Sequence, residues 1–199
     1  MGKLRVGFIG VGDITDLHYP GYKDNPKAEL YAICDVDEER LQKRASEWKV
    51  EKTYTDYREL LTDPNIEAVE VITPHHLHAE MGIAALKAGK HVSMQKPMAV
   101  NIGECDELIK TAERSKKLFR VFENFRFYPP MVKAKELLDS GAIGEPLSIR
   151  IKCVQGTGGD GWEIPYHRWA WRFDPDQGGG GRVILDYGYH LFSIAIAIS

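Results

Sequence analysis

The segment LRVGFIGVGDIT, residues 4–15, decides the predicted fold. Its apolar run Leu4–Ile9 is typical of a buried strand. Gly10 and Gly12 lie at the turn from this strand into a predicted helix, where backbone N–H groups can approach a dinucleotide phosphate. Thr15 replaces the third glycine of that pattern. The evidence for a dinucleotide-binding turn is therefore its position between a predicted strand and a predicted helix.

The same alternation of a short apolar strand and a helix continues to residue 123. It predicts an α/β fold in which a doubly wound parallel sheet is covered by helices on both faces. Gly89 is predicted to stop one helix, and Asn101 with Glu104 to open another as a capping box. The predicted strands are Leu4–Ile9, Leu30–Cys34, Ala68–Ile72, His91–Met94 and Phe119–Glu123, and the predicted helices are Asp13 to the region of Tyr19 and Pro20, Glu38–Trp48, Thr55–Leu61, Leu77–Ala88 and Asn101–Lys116.

The pattern changes near residue 124, so we predict a first domain over residues 1–124 and a partial second domain over residues 125–199. A helix over Val132–Ser140 is predicted to lead into a strand over Pro146–Val154, a loop rich in Gly, Trp and Pro, and a closing helix. This second stretch is too short to bury a good core alone. We therefore expect the chain to be part of a longer protein.

The composition is that of an ordinary globular protein, with 43% apolar residues, 28% charged residues and a net charge of −3. The charges are intermixed, which argues against a nucleic-acid or membrane surface. The start MGKLRVGFIG lacks the layout of a signal peptide, and the final apolar run is too short to span a bilayer. The three cysteines show no CxxC spacing, so reduced thiols and a cytoplasmic location are expected.

The second predicted strand ends at Asp35, where a dinucleotide-binding sheet carries an acid for the adenosine ribose. A carboxylate there can accept from both ribose hydroxyls and repels a 2′-phosphate. No arginine follows it directly, so we expect no basic neighbour beside Asp35 and favour NAD over NADP as the cofactor. The alternative is that Asp35 caps the following helix.

The apolar stretch RVILDYGYHLFSIAIAIS, residues 182–199, carries Asp186 and His190 within one helical turn. On a helix this spacing places both side chains on one face, and Gly188 leaves room between them. Burying an acid and an imidazole is costly unless they face a polar cavity or each other. We interpret the two as an acid/base pair, with a hydrogen-bonded pair on a helix surface as the alternative.

The segment SMQKP, residues 93–97, makes the pattern specific. Together with the turn at Gly10 and DYGYH at residues 186–190, it resembles the glucose–fructose oxidoreductase/inositol dehydrogenase (Gfo/Idh/MocA) family. TPHHLHAEMGIAALKAGKHV (73–92) is similar to the loop and helix that lead into the family's Glu-Lys-Pro motif. ENFRFYPP (123–130) and GAIGEPLSIRI (141–151) are similar to its crossover into a second domain, and GGGGRVILDYGYH (178–190) to its active-site helix.

The resemblance implies an NAD-dependent oxidoreductase with a Rossmann domain followed by an α/β domain that has an open, mostly antiparallel sheet. Members oxidise or reduce a carbinol carbon of sugars, inositols and related polyols. Association through the second-domain sheet is also implied, so a homodimer or homotetramer is expected. The catalytic positions of the family match Lys96, Asp186 and His190.

The remaining site residues divide into expected cofactor contacts and expected substrate contacts. The expected cofactor contacts are Gly10, Gly12, Asp13, Ile14, Asp35, Thr73, Pro74, His78, Gln95, Lys96 and Asn124. The expected substrate contacts are Lys96, Arg126, Tyr128, His167, Trp171, Arg172, Asp186 and His190. The aromatic and arginine residues of the loop before the last helix are interpreted as a substrate lid, with core and interface packing as the alternative.

Gln95 stands where the family usually has glutamate, so the negative charge that would partner Lys96 is lost. The histidines at positions 75, 76 and 78 have no cysteine or acid at ligand spacing nearby, so no metal site is predicted. Two other functions are compatible with the resemblance. One is an NAD-using glycosidase that oxidises its substrate transiently, and the other is a non-catalytic nucleotide sensor.

Overall fold

The structure is a computed structural model that describes residues 2–152, 167, 170–180 and 187–198. It divides the chain into two compact units, Met1–Phe122 and Glu123–Ser199. The predicted boundary after residue 124 lies close to this division. The assignment of the two parts to a cofactor domain and a substrate domain stays a prediction.

A sheet of six strands, all paired in parallel, forms the centre of the first unit. The strands are β1 (Leu4–Ile9), β2 (Ala28–Cys34), β3 (Lys52–Tyr54), β4 (Ala68–Val71), β5 (His91–Met94) and β6 (Phe119–Val121). They lie in the order β3-β2-β1-β4-β5-β6. The predicted parallel sheet is therefore confirmed. The sequence does not predict β3, because this short strand begins with an exposed lysine and contains no apolar run.

Helices alternate with these strands along the chain. They are α1 (Thr15–His18), α2 (Pro20–Lys23), α3 (Glu38–Trp48), α4 (Tyr57–Thr62), α5 (His78–Lys87) and α6 (Ile102–Ser115). The segment predicted as one helix from Asp13 forms α1 and α2 instead. Proline has no backbone N–H to continue α1, and Pro20 occupies the start of α2, where that N–H is not needed.

Local caps explain where two of the longer helices begin and end. The side chain of Asn101 accepts a hydrogen bond from the backbone N–H of Glu104 at 2.9 Å, which confirms the first half of the predicted capping box. The Glu104 carboxylate accepts from the backbone of Val100 at 3.3 Å, so the return bond misses Asn101 by one residue. Gly89, with φ of +76°, follows the end of α5 as predicted.

Apolar side chains are buried on both faces of the sheet. One cluster contains Leu60, Leu86 and Leu108 from α4, α5 and α6. The other contains Phe8 of β1 and Trp48 of α3, whose rings meet edge-on with centroids 6.2 Å apart. Each fully buried side chain of this size stabilises the fold by about 1.5–3 kcal/mol. This packing holds the strand ends, and the loops that follow them, in fixed positions.

The regular secondary structure in the described part of the second unit is helical, and residues 140–152 form turns and irregular backbone. It contains a 3₁₀ turn (Phe125–Phe127), α7 (Pro129–Asp139), a second 3₁₀ turn (Ala170–Phe173), α8 (Pro175–Gly178) and α9 (Tyr189–Ile198). The helix predicted over Val132–Ser140 is confirmed as α7, which begins earlier because proline is favoured in a first helical turn. In the described ranges of the chain, no helix has the length and apolar character that a membrane crossing demands.

The strand predicted over Pro146–Val154 is wrong for residues 146–152, which belong to no strand. Residues 153 and 154 lie outside the described part of the chain. A strand needs a neighbouring strand to complete its backbone hydrogen bonds, and the described part of this unit supplies none. The antiparallel sheet that the resemblance implies is likewise absent from those residues.

Candidate functional site

The carboxyl ends of the parallel strands bring the predicted cofactor residues of the first unit to one edge of the sheet. Strand order reverses at β1 and β4, and ligands of such sheets bind at a reversal of this kind. All but one of these residues follow the end of a strand. Gly10, Gly12, Asp13 and Ile14 follow β1, Asp35 follows β2, Thr73 and Pro74 follow β4, and Gln95 and Lys96 follow β5. The exception is His78, which begins α5.

The turn after β1 requires glycine at its first position. Gly10 has φ of +91°, and a Cβ there would overlap the carbonyl oxygen of Ile72 and lie 3.0 Å from Cγ2 of Thr73. Its N–H donates to the carbonyl oxygen of Cys34 at 2.8 Å, which fixes the turn against the end of β2. A Cβ at Gly12 would meet only open space. The turn therefore presents backbone that a phosphate can approach.

Asp35 connects the end of β2 to this turn. Its Oδ2 accepts from the backbone N–H of Val11 at 2.9 Å, and its Oδ1 accepts from that of Asp37 at 3.0 Å. A carboxylate has about four acceptor positions, so the two backbone bonds leave capacity for hydroxyl donors. The alternative role of Asp35 as the cap of α3 is wrong, because Asp37 occupies that position.

A basic side chain lies beside Asp35 after all. Nη1 of Arg40, in α3, is 3.4 Å from both carboxylate oxygens of Asp35. Nη2 of Arg40 is 3.0 Å from Oδ2 of Asp37. The expectation that Asp35 has no basic neighbour is therefore wrong, because the first turn of the helix brings back a residue that is not adjacent in sequence. Two carboxylates share the one guanidinium, so the group keeps a net negative charge.

His78 bridges two of the predicted cofactor loops. Its Nδ1 is 2.7 Å from the carbonyl oxygen of Pro97, and its Nε2 is 2.8 Å from that of Thr73. Burial lowers the pKa of this imidazole, and the two carbonyl groups oppose that effect only in part. A neutral imidazole has one N–H and donates to one carbonyl at a time. His78 thus links the loop after β4 to the turn after β5.

Replacing His78 by glutamine should weaken the dependence of stability on pH. The folded-state pKa of His78 lies below the value of about 6.5 expected in the unfolded chain, so its contribution is present above that pH and is lost as the pH falls. Between about pH 7.5 and about pH 5.5, we expect the wild type to lose more unfolding free energy than the variant does. Urea unfolding at the two pH values measures this difference.

The matched control is His167→Gln, because His167 is exposed. This variant should keep the pH dependence of the wild type. At the higher pH, His78→Gln should itself cost about 1–3 kcal/mol, since it disturbs bonds to buried carbonyl groups. Identical pH dependence in His78→Gln and the wild type would contradict the assignment.

Gln95 holds the backbone at Lys96. Its Oε1 accepts from the N–H of Lys96 at 2.8 Å, and its Nε2 is 3.0 Å from Nε2 of His18. Nδ1 of His18 is in turn 3.1 Å from Oε2 of Glu70, which is 4% exposed in the middle of β4. A line of side chains therefore runs from a buried acid to one of the predicted catalytic residues.

His190 lies in the second unit and is bonded to a carboxylate that the sequence patterns do not single out. Its Nδ1 is 2.9 Å from Oε1 and 3.1 Å from Oε2 of Glu123. The ring stacks on Phe125, with centroids 4.2 Å apart and planes 14° apart. Donation from Nδ1 to Glu123 leaves the lone pair on Nε2. The imidazole is thus held in the tautomer and orientation that a base requires.

The other predicted residues of the second unit are more dispersed. The guanidinium of Arg172 lies 4.5 Å from the ring centre of Trp171, in the second 3₁₀ turn. Asp186 lies outside the described residues, and its predicted role stays a prediction. Four further predicted residues are exposed, namely Asn124, Arg126, Tyr128 and His167.

The histidines after β4 are packed inside the first unit. His75 is buried, and its ring centroid lies 5.7 Å from that of His78. Within the described ranges, no group of three or more His, Cys, Asp or Glu side chains is placed to hold a metal ion. In this structure His75 and His78 contribute to packing between loops.

Two family models match the chain. The model described as "Oxidoreductase family, NAD-binding Rossmann fold" matches residues 4–123, and the GFO/IDH/MocA C-terminal domain model matches residues 131–199. The first match alone extends over more than half of the chain. The chain belongs to the Gfo/Idh/MocA family. The resemblance seen in the sequence is thereby confirmed.

Relatives within the Gfo/Idh/MocA family include named dehydrogenases. Myo-inositol 2-dehydrogenase of Thermotoga maritima is 38% identical over 148 residues, which are 74% of this chain and 44% of the relative. Levoglucosan dehydrogenase of Pseudarthrobacter phenanthrenivorans is 32% identical over 204 residues, covering 98% of this chain and 51% of the relative. The crystal structure of a probable dehydrogenase from Thermotoga maritima superposes with a TM-score of 0.80 at 33% identity, covering 98% of this chain and 55% of that one. The chain thus spans about half the length of the curated relatives it matches.

Several polar groups near the predicted site residues of this Gfo/Idh/MocA protein were missed in the sequence. Glu123 immediately precedes Asn124, and Glu70 interrupts the apolar run AVEVI at residues 68–72. An acid inside an apolar strand indicates a buried polar contact, because a carboxylate is costly to bury without a hydrogen-bonding or charged partner. The ring of His18 contacts that of Phe122 edge-on, with ring centroids 4.7 Å apart. Its bond to Glu70 joins α1 to β4, which are far apart in sequence, so the sequence pattern does not show it.

Proposed function

We propose that the protein is an NAD-dependent oxidoreductase that transfers a hydride between the nicotinamide cofactor and a carbinol carbon of a sugar, an inositol or a related polyol. The observation that carries the proposal is the hydrogen bond from the backbone of Val11 to the buried carboxylate of Asp35. It joins a phosphate-accessible turn to an acid suited to ribose hydroxyls, which is what a dinucleotide needs. The inositol and levoglucosan dehydrogenases among the relatives support the substrate class.

The carboxyl edge of the first unit fits a nicotinamide dinucleotide. Gly10 leaves space that a Cβ would fill, and Gly12 leaves its backbone open. We assign the pyrophosphate to the turn from Gly10 to Ile14 and the adenosine ribose to Asp35. Bound at this edge, the cofactor would supply the hydride transfer to or from the carbinol carbon. We assign the nicotinamide half to Thr73, Pro74, His78, Gln95 and Lys96. Asn124, which belongs to the second unit, is also assigned to the cofactor, on the resemblance alone.

Oxidation of a carbinol also needs a base for the hydroxyl proton and a positive charge for the developing alkoxide. We assign the base to His190, because Glu123 occupies Nδ1 and leaves Nε2 to receive the proton. We assign the positive charge to the ammonium group of Lys96 and the binding of a neighbouring hydroxyl to Asp186. Further substrate contacts are assigned to Arg126, Tyr128, His167, Trp171 and Arg172.

A substrate screen tests this proposal. The purified protein is incubated with NAD and a panel of inositols, aldoses and anhydrosugars, and NADH is followed by absorbance. We expect at least one compound to yield NADH and the matching carbonyl product in equal amounts. Release of free sugar from glycosides without net NADH would indicate the glycosidase, and NADH binding without any turnover would indicate a sensor. Either result would overturn the proposal.

We expect tighter binding of NADH than of NADPH, and replacement of Asp35 by serine should narrow the difference. Asp35, Asp37 and Arg40 together are net negative, so a 2′-phosphate would be repelled despite the arginine. At a partly exposed site this repulsion is worth about 1–2 kcal/mol, or roughly 5- to 30-fold in affinity. Dissociation constants from NADH and NADPH fluorescence measure the preference.

The matched control is Asp106→Ser, since Asp106 is exposed on α6. It should leave both dissociation constants unchanged. Asp35→Ser should also weaken NADH binding, because the N–H of Val11 loses its acceptor. Equal affinity of the unmodified protein for the two cofactors would count against NAD.

Replacing Glu123 by glutamine should lower kcat and move the acid limb of the pH–rate profile to lower pH. The amide can still accept from Nδ1 of His190 and from the backbone of Phe125, so the ring keeps its orientation. The charge that stabilises a protonated imidazole is lost, and we expect about a 10-fold fall in kcat. Initial rates at saturating substrate across the pH range provide the measurement.

Glu136→Gln on α7 is the control for this substitution. Glu136 is exposed and pairs with Lys133 at 3.0 Å, so its loss should change neither kcat nor the profile. An unaltered pH profile in Glu123→Gln, with folding intact, would show that Glu123 does not act through His190.

The second unit is proposed to begin the C-terminal domain of the family. The match of residues 131–199 to the C-terminal domain model supports this assignment. We propose that an open, mostly antiparallel sheet completes that domain in the whole protein and that two or four copies associate through it. The proposed location of the protein is the cytoplasm.

A further inference from the structure

Three side chains of the first unit form a line that ends on the backbone of Lys96. They are the buried Glu70 and the partly buried His18 and Gln95. Glu70 contacts His18 at 3.1 Å, His18 contacts Gln95 at 3.0 Å, and Gln95 accepts from the N–H of Lys96 at 2.8 Å. None of the contacts within this line involves the glycine turn or Asp35. His18 and Glu70 therefore carry no cofactor contact assigned above, and they reach the assigned residues Gln95 and Lys96 only through this line.

The direction of each hydrogen bond in this line follows from its end at Lys96. A backbone N–H can only donate, so the side-chain atom that it meets is the oxygen of Gln95. The nitrogen of the amide then faces Nε2 of His18, and an amide nitrogen donates without accepting. Nε2 of His18 must therefore carry a lone pair. The proton of the neutral ring is on Nδ1, which donates to Glu70.

The surroundings place the negative charge of the group on Glu70. The hydroxyl of Tyr22 donates to Oε1 of Glu70 at 2.5 Å, and burial together with the charge of Glu70 raises the pKa of Tyr22, so the phenol stays neutral. Phe122 covers His18 edge-on at 4.7 Å. The guanidinium of Arg120 lies over the ring of Phe122, 5.1 Å from the ring centre. With neutral His18, Tyr22 and Gln95, one negative charge remains.

We propose that His18 and Glu70 are positioning residues for Lys96. Glu70 holds His18 in the Nδ1–H tautomer, His18 fixes the amide of Gln95, and Gln95 anchors the backbone from which the Lys96 side chain projects. The role of Lys96 in this statement rests on the proposed function. The protonation state of His18 does not, because it follows from the donors and acceptors alone.

This assignment predicts what glutamate at position 95 would do. One carboxylate oxygen would accept from Lys96, and the other would need a donor from Nε2 of His18. His18 already donates from Nδ1 to Glu70, so it would have to bind a second proton. The added negative charge and the added proton cancel, and the net charge of the group is the same with glutamine or glutamate at residue 95.

Nuclear magnetic resonance on the purified protein labelled with ¹⁵N-histidine tests this directly. Long-range ¹H–¹⁵N spectra distinguish protonated from unprotonated ring nitrogens, and the signals missing in His18→Gln identify His18. At about pH 7.5, where a free histidine is mostly neutral, we expect wild-type His18 to be protonated on Nδ1 only. In Gln95→Glu at the same pH both nitrogens should be protonated, whereas Gln95→Met should leave a single proton on the ring.

A matched exchange variant, Glu70→Gln with Gln95→Glu, has the same composition and net charge as the wild type. Its buried amide can donate to Nδ1 of His18 and accept from Tyr22, while the carboxylate at residue 95 accepts from Nε2. The tautomer of His18 should therefore reverse to Nε2–H. A proton on Nε2 in the wild type, or the same tautomer in both proteins, would overturn the assignment.

Kinetics test the link to Lys96. His18→Ala should lower kcat by about 10-fold or more, since small displacements of a catalytic group are costly, while the dissociation constant for NADH changes much less. Unchanged kcat in this variant would overturn the positioning role. If no polyol is turned over at all, the proposed function fails, and the histidine spectra still decide between the two protonation states.

Discussion

Lys96→Ala should lower kcat by about 10²-fold or more while NADH still binds. The ammonium group is proposed to stabilise the negative charge that develops on the substrate oxygen, and electrostatic groups of this kind act mainly in the transition state. The backbone contact between Lys96 and Gln95 does not depend on the lysine side chain, so the turn should keep its conformation. Rates at saturating substrate, with NADH affinity measured separately, distinguish loss of chemistry from loss of binding.

Lys110→Ala is the control, because Lys110 is exposed on α6 and should tolerate truncation without any change in rate. Lys96→Arg retains a positive charge in a different shape and should fall between the wild type and Lys96→Ala. Full activity in Lys96→Ala would remove this residue from the mechanism.

His190→Ala should also lower kcat by about 10²-fold or more, because general-base catalysis by a positioned side chain contributes about 10²- to 10⁴-fold. The buried contact of His190 with Glu123 makes the loss of stability a competing explanation. His190→Asn provides a second test, since its amide can still donate towards Glu123 but cannot act as a base near neutral pH. Both variants should bind NADH as the wild type does.

The control for this residue is His167→Ala, because His167 is exposed and no base function is assigned to it. We expect a much smaller loss there, confined to KM, because His167 is assigned a substrate contact and no part in proton transfer. A His190→Asn protein with wild-type kcat would contradict the assignment of the base.

The sheet and its functional edge could be predicted from the sequence because they depend on local patterns. Runs such as Leu4–Ile9 and His91–Met94 are short, apolar and separated by helical periodicity, and strands of that kind align in parallel. Once the strands are parallel, residues that follow them must share one edge. The proximity of Gly10 to Thr73 therefore follows from the strand ends, although the two are far apart in sequence.

Contacts between side chains of different elements were harder to predict from the sequence. Glu123 and His190 are 67 positions apart, and His18 and Glu70 are 52 apart, so neither pair produces a periodic signal. The interpretation of His190 considered Asp186 as its partner because the two share a helical turn, whereas the partner that the structure describes is Glu123. Arg40 was missed for a similar reason, since only the geometry of α3 returns it to Asp35.

The predicted strand at Pro146–Val154 illustrates a different limit. Its alternating apolar residues favour extended backbone, and Leu147 is 97% exposed in the structure. The strand propensity of a residue depends on how its side chain packs against neighbouring strands, so it is not a property of one segment alone. The short β3 shows the reverse, because pairing with β2 makes a strand of three residues that contain no apolar run.

The bond between Val11 and Asp35 bears on how cofactor use could be re-engineered. Exchanging Asp35 to admit a 2′-phosphate also deprives a buried N–H of its acceptor, which costs about 1–3 kcal/mol and loosens the turn that any dinucleotide must use. Asp37 offers a gentler route, since it only caps α3 and shares Arg40. Asparagine caps helices about as well as aspartate, so Asp37→Asn would remove one of the two carboxylates that share Arg40 without dismantling the loop. A designer seeking stronger NADP binding should therefore change Asp37 first and leave Asp35 in place.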